Sequence, residues 1–174
     1  SKDDTTTPKT GDIRTISILP TLFKVYEKAV IKRLNTAIET LHAISPNQRG
    51  FMESKMCGHN LQDLMTMMNT AKRVQQQQRT DRIPVADRTK HYLLFIDFRK
   101  AFDVVDRQLL LEKMAKKGFS QQMVNAYREM MQNTSVSIDD TVTANTIGVM
   151  QGGVSSPKLY SLFADDLLDV FRQL

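Results

Sequence analysis

A single cysteine, Cys57, occurs in the chain. No internal disulfide can therefore form, and the sequence fits a reducing, intracellular setting, whether nucleus, cytoplasm or organelle. Zinc ligands are equally scarce, since Cys57, His59 and His91 are too few and too badly spaced for a structural site. Long apolar runs are missing as well. None approaches the roughly 20 residues that a membrane helix needs, and the opening Ser-Lys-Asp-Asp-Thr-Thr-Thr does not read as a signal peptide. Without an initiator methionine, the chain reads as a processed or excerpted segment. No internal repeat is found.

What is present narrows the class. The 174 residues with 41% apolar content can build one sizeable core or two lobes. A formal charge of +5 and a pI near 9.4 permit a polyanionic partner without requiring one.

Residues 1 to 11 are polar, and Ile13 to Leu19 is a short extended stretch. Pro20 suits a first helical turn. Phe23, Tyr26, Val30, Leu34, Ala37 and Leu41 then recur at helical spacing, which predicts a helix over 20 to 42. Ser45-Pro46-Asn47 breaks it. A second helix is predicted from about Gly58 to Val74, with Leu61, Leu64, Met65 and Met68 inward. Gln75 to Lys90 is polar and basic without an apolar period and reads as a mobile insertion. His91 to Phe98 reads as a strand covered on both faces, because Tyr92, Leu93, Leu94, Phe95 and Ile96 are continuously apolar. Asp106 can cap a helix to Lys117 that Gly118 closes, and Ser120 can cap the next, to about Gln132. A hairpin is predicted around Asp139-Asp140, and a last helix from Pro157 to Leu174. The order is that of a helix-rich α+β chain.

Two segments carry candidate chemistry. In Phe95-Ile96-Asp97-Phe98-Arg99-Lys100-Ala101-Phe102-Asp103, a carboxylate ends an apolar strand. A divalent cation is a natural partner for such a group, and capping of the following turn explains it as well. In Gly148-Val149-Met150-Gln151-Gly152-Gly153-Val154-Ser155-Ser156-Pro157, adjacent glycines before a helix allow a close backbone approach to a ligand. A plain turn before a capped helix explains that segment too.

Taken together, these segments resemble the reverse-transcriptase family, particularly non-LTR (LINE-like) retrotransposons and group II intron relatives. The first is similar to that family's first palm motif, Asp-x-x-x-Ala-Phe-Asp after an apolar strand, and the second to its Gln-Gly-x-x-x-Ser-Pro motif. Upstream, Asp12 to Ser17 with Leu22 to Lys28 resembles the Arg-Pro-Ile-Ser fingers segment and its helix. Ser45 to Phe51 resembles Gln-x-Gly-Phe. The four landmarks fall in family order over about residues 12 to 171. They imply the fingers (1–90) and part of the palm (91–174) of a right-hand polymerase.

Residue by residue, the resemblance makes Asp97 a metal-binding aspartate and Phe98 the donor of a backbone carbonyl to the same metal. Phe102 would be the aromatic that excludes a 2′-hydroxyl, or otherwise a core residue. Gln151 and Gly152 would lie beside the incoming nucleotide, with Arg14 near its triphosphate or, alternatively, an ordinary surface charge. Two Mg²⁺ ions, an RNA template and a DNA primer are the implied cofactors and partners of the complete enzyme. Asp103 and Asp106 are expected to cap or brace the turn.

Departures accompany the match. Thr15 stands where the family usually has proline. Phe163-Ala164-Asp165-Asp166 matches the third palm motif in letters, but its apolar neighbours repeat at helical spacing. A helix with solvated Asp165, Asp166 and Asp169 is therefore expected, and the third motif and thumb are expected beyond Leu174. Lys24, Lys28 and Lys32 on one helix face, and Arg73, Arg79, Arg82, Arg88 and Lys90, suit a nucleic-acid backbone or plain solvation equally. The leading reading is a fragment of an RNA-directed DNA polymerase. Its rival is a non-catalytic remnant serving as a structural or nucleic-acid-binding subunit of a larger assembly. The unfinished palm, including the His91 to Phe98 strand, is expected to be covered by other protein chains or to show a contiguous apolar patch.

Overall fold

Helix α1 (Thr21–Thr40) starts directly after Pro20, whose φ of −57° and ψ of 146° turn the chain into the first helical turn. The computed structural model describes residues 17–53, 55–132, 134–138 and 141–172. The further elements are α2 (Cys57–Thr80), a 3₁₀ turn (Val85–Asp87), α3 (Arg107–Lys116), α4 (Gln121–Met131), a hairpin of β1 (Ser135–Ile138) and β2 (Thr141–Ala144), α5 (Ser156–Ala164) and α6 (Leu167–Arg172). They divide into two compact units. One takes in the chain up to Ser45 and from Lys100 onward; the other is Pro46–Arg99.

In the first unit, local signals set the helix starts. The Asp106 carboxylate accepts from Leu109 N at 2.9 Å to cap α3, and the Ser120 hydroxyl accepts from Met123 N at 3.3 Å to cap α4. Gly118, at φ +89°, closes α3 as expected. Helix α3 packs on both α4 and α5, and Leu34, Leu110, Met114, Val124, Tyr127 and Leu162 form the centre of the core. Each such side chain contributes about 1.5–3 kcal/mol on burial. The hairpin pairs Ser135 with Ala144 and Ile138 with Thr141. The face of α1 is shifted from the expected one. Glu27, Leu34 and Ile38 are buried, while Tyr26 and Leu41, expected inward, are exposed.

Phe163 and Ala164 end α5, and Asp165-Asp166 form the turn before α6. The hairpin that a third palm motif would need is not formed there. Asp165 nevertheless departs from the solvated state expected of it. Only 6% exposed, it takes Lys117 Nζ at 2.7 Å and accepts from Ser45 N at 2.7 Å. Asp166 is exposed and pairs with Lys113 Nζ at 2.8 Å.

In the second unit, α2 continues to Thr80, past the expected end at Val74, and none of its residues is buried. Glutamine is a good helix former without any apolar face, and Gln77 donates to Asp81 one turn on at 2.9 Å. After the helix, Gln78 exchanges side-chain bonds with Thr89, at 2.7 Å to the hydroxyl and 3.0 Å from its N–H.

His91 to Phe98, expected as a buried strand, forms no ladder, and the only sheet among the described residues is the β1–β2 pair. Leu94 is 80% and Phe95 79% exposed. Apolar content draws a segment toward cover but cannot supply the partner strand its N–H and C=O groups require. The buried strand expected here is therefore replaced by an exposed apolar segment.

Candidate functional site

In the first unit, residues 102–105 dock against residues 148–151. Val149 N donates to Phe102 O at 2.9 Å and Gly148 N to Val105 O at 2.8 Å. Gln151 Nε2 donates to Asp103 Oδ1 at 2.7 Å. The approach is so close that a Cβ on Gly148, which sits at φ +82°, would fall 2.8 Å from the Asp103 carbonyl oxygen. Only glycine meets both demands. Half-buried Phe102 stacks obliquely on Tyr160, with ring centroids 5.2 Å apart; burial raises the Tyr160 phenol above its ordinary pKa.

Gln151 is fixed at both ends, because its carbonyl also accepts from Ser17 N at 2.7 Å. Gly152 follows at φ +111° and is exposed. A cleft of about 780 Å³ opens beside these groups, with Ser17, Pro20, Asp103, Ser135, Gly148 and Gln151 among its lining. Its size is that of small-ligand sites, about 300–1,000 Å³.

Phe102, Gln151 and Gly152 thus share one unit. Asp97 and Phe98 belong to the other, where both are exposed. Asp97 makes no hydrogen bond or ion pair with another described residue. Arg14 lies outside the described residues. Among the described residues no group of three or more His, Cys, Asp or Glu could hold a metal. Asp103, Asp165 and Asp166 are already engaged by Gln151, Lys117 and Lys113. Of the aspartates in the two motif segments and the Asp165-Asp166 pair, Asp97 is the one with no such partner among the described residues.

Two residues at this site escaped the reading of the sequence. Arg107, partly buried, donates to the carbonyls of Gly148 (2.7 Å), Met131 (2.6 Å), Asn145 (2.6 Å) and Ile147 (3.3 Å) and to the Thr134 hydroxyl (3.0 Å). Burial lowers its pKa from the ordinary value, though a guanidinium stays protonated at neutral pH. Glu27 is the other. Its available signal was position, since it occupies the stripe of α1 that also carries Leu34 and Ile38.

Residues 2–174 match the family described as Reverse transcriptase (RNA-dependent DNA polymerase). The chain belongs to the reverse-transcriptase family. Among curated relatives, the RNA-directed DNA polymerase from mobile element jockey of Drosophila melanogaster is 30% identical over 161 residues, covering 88% of this chain and 16% of the relative. The probable RNA-directed DNA polymerase from transposon BS of the same species is 31% identical over 163 residues, with 88% and 16% covered. A Xenopus laevis protein, the transposon TX1 uncharacterized 149 kDa protein, is 29% identical over 178 residues, with 95% and 12% covered. This reverse-transcriptase chain therefore spans less than a fifth of the length of each of these relatives. No helix among the described residues is long and apolar enough to cross a membrane.

Tyr127, fully buried beside Glu27 and Ser155 in the reverse-transcriptase core, gives a pH prediction. Burial pushes its phenol far above the ordinary value; the charges of Glu27 and Tyr26 add to the rise and Ser155 opposes it. The folded state thus keeps a proton that the unfolded chain releases. Stability is complete below about pH 10, the unfolded value, and falls as the pH rises beyond it. Tyr127→Phe is expected to flatten that fall, read as denaturation midpoints between about pH 9 and 11. At neutral pH the substitution should cost about 1 kcal/mol or less, because the phenol oxygen has no hydrogen bond of good geometry among the described residues. An unchanged alkaline slope would show that the phenol ionises freely in the folded state.

Proposed function

We propose that this chain is the nucleotide-facing part of a reverse transcriptase that extends a DNA primer on an RNA template. The observation that supports it most is the docking of Phe102–Val105 on Gly148–Gln151 beside an open cleft. It places in one structure two segments that the family resemblance assigns to the incoming nucleotide. Residues 1–90 serve as fingers and 91–174 as part of the palm. The complete enzyme uses two Mg²⁺ ions, which would screen the triphosphate charge. Asp97 and the carbonyl of Phe98 would be this chain's share of their ligands. By the family resemblance Arg14 would serve the triphosphate, because its fork of donors suits phosphate oxygens.

Within this scheme the chain contributes positioning. Asp103 holds the Gln151 amide, so the face that Gln151 and Gly152 present to a nucleotide is set before binding. Phe102, backed by Tyr160, meets the sugar and excludes a 2′-hydroxyl by volume. In the full-length enzyme, Phe102→Ala is expected to reduce the preference for deoxynucleotides over ribonucleotides by roughly 10- to 100-fold. The measurement is kcat/KM for each nucleotide on a primed RNA template. Unchanged discrimination would remove Phe102 from the sugar site, and an enzyme that extends no primer on RNA would overturn the reading itself.

A further inference from the structure

We propose that Glu27 is a positioning residue for the loop that presents Gln151 and Gly152, acting through Ser155 from the buried face of α1. A glutamate only 1% exposed, in line with Leu34 and Ile38, is a poor choice for packing alone. Carboxylates are almost never fully buried unless paired. The partner here is the loop. Glu27 Oε1 accepts from Ser155 N at 3.0 Å and from Ser155 Oγ at 2.5 Å.

Ser155 stands at the N-cap of α5 yet makes no capping bond with its own hydroxyl. That hydroxyl is spent on Glu27, so the start of α5 is held from α1. Gly153 completes the fit: a Cβ there would lie 2.9 Å from Glu27 Oε1 and 2.8 Å from Ser156 Oγ. A side chain at the second glycine of the pair would therefore crowd both the buried carboxylate and the Ser156 hydroxyl. The turn around it is closed by Gly153 N and Ser156 Oγ, which both donate to Met150 O, at 3.0 and 2.7 Å. Gln151 and Gly152 are the residues this turn carries outward.

The cavity that Glu27 lines with Tyr127 and Met150 measures about 10 Å³. That is space for about one water and no substrate, so Glu27 acts on the loop and does not touch a nucleotide. The nucleotide arm of the test rests on the function proposed above; the loop arm does not.

Both arms use the full-length protein. Glu27→Ala is expected to speed amide exchange at residues 152–155 about tenfold while α3 and α4 keep their wild-type rates. It should raise KM for the deoxynucleotide about tenfold and change kcat by less than about threefold. Glu27→Gln keeps an oxygen for both Ser155 donors and is expected to restore each readout to within about threefold of wild type. Faster exchange spread evenly through α3 and α4 would make Glu27 a stability residue and overturn the proposal, as would a folded Glu27→Ala with wild-type exchange at 152–155. Local loosening with an unchanged KM would support the hold of Glu27 on the loop and reject the nucleotide-facing role of Gln151 and Gly152. Should Glu27→Ala fail to fold, Ser155→Ala decides. It removes the hydroxyl bond alone and must loosen the same amides by about threefold; no change there overturns the proposal.

Discussion

In the full-length enzyme, Asp97→Asn is expected to lower primer extension by roughly 10³-fold or more, the scale on which an ion's charge stabilisation acts. The same change should move folding stability by less than about 0.5 kcal/mol, as for surface substitutions away from specific interactions. The second expectation comes from its surroundings: Asp97 is exposed and bonds to no described residue. The substitution replaces one oxygen by an amide nitrogen of nearly equal size, so shape is kept and charge is lost. Primer extension under single-turnover conditions, beside a thermal melt of the same preparation, separates the two effects. Extension within tenfold of wild type would remove Asp97 from the metal role. A fall in activity matched by a fall in melting temperature would make it a structural loss.

Tyr92 to Ile96 are a run of large apolar side chains that the chain neither pairs nor buries. Here they are bare, and exposed runs of large apolar side chains mark surfaces that meet something else.

How much of this was legible in the residues depended on the range of the interaction. Asp106 and Ser120 capped helices where they were expected to, because a cap is a contact over three residues. The hairpin and the helical character of Phe163-Ala164 were legible for the same reason. The strand over His91 to Phe98 failed because an apolar run reports a need for cover and says nothing of a ladder partner. The glutamine run was read as a mobile insertion for want of an apolar period, although helix propensity and the side-chain bonds of Gln77 and Gln78 accompany α2 through to Thr80.

At the site, Phe102 and Gln151 were placed by the family resemblance, and their segments do meet. Asp103 was expected only to cap or brace its turn, whereas its carboxylate reaches Gln151, 48 residues on. Glu27 and Asp165 were hidden by charge. A carboxylate reads as surface until a long-range donor, Ser155 or Lys117, accounts for its burial.

Arg107 is the clearest case of a residue whose weight is invisible locally, and Arg107→Met is expected to lower stability by about 3–4 kcal/mol. One guanidinium joins the start of α3 to the end of α4, through Met131 O and Thr134 Oγ1. It also reaches the return strand and glycine loop, through Asn145, Ile147 and Gly148 O. With its amide oriented to satisfy both neighbours, Asn145 joins the same network, donating to Ile147 O at 2.8 Å and accepting from Arg107 Nη2 at 3.2 Å. A charge-assisted bond is worth about 1.5–3 kcal/mol. The total loss stays well below the sum, because the site is only partly buried and water can reach some of the freed carbonyls. Methionine keeps most of the aliphatic stem, so the loss reports the donors. For a chain of this size, the change corresponds to a fall in melting temperature of about 10 °C. Arg107→Lys brings a single ammonium in place of the planar fork and should recover about 1 kcal/mol. Because Gly148 leads into Gln151, the loosened loop should also raise KM for the nucleotide in variants that still fold at the assay temperature. A Met variant within about 1 kcal/mol of wild type would mean that the carbonyls are satisfied without the arginine. The docking of Phe102–Val105 on Gly148–Gln151 would then stand on its own backbone hydrogen bonds and the Asp103–Gln151 bond.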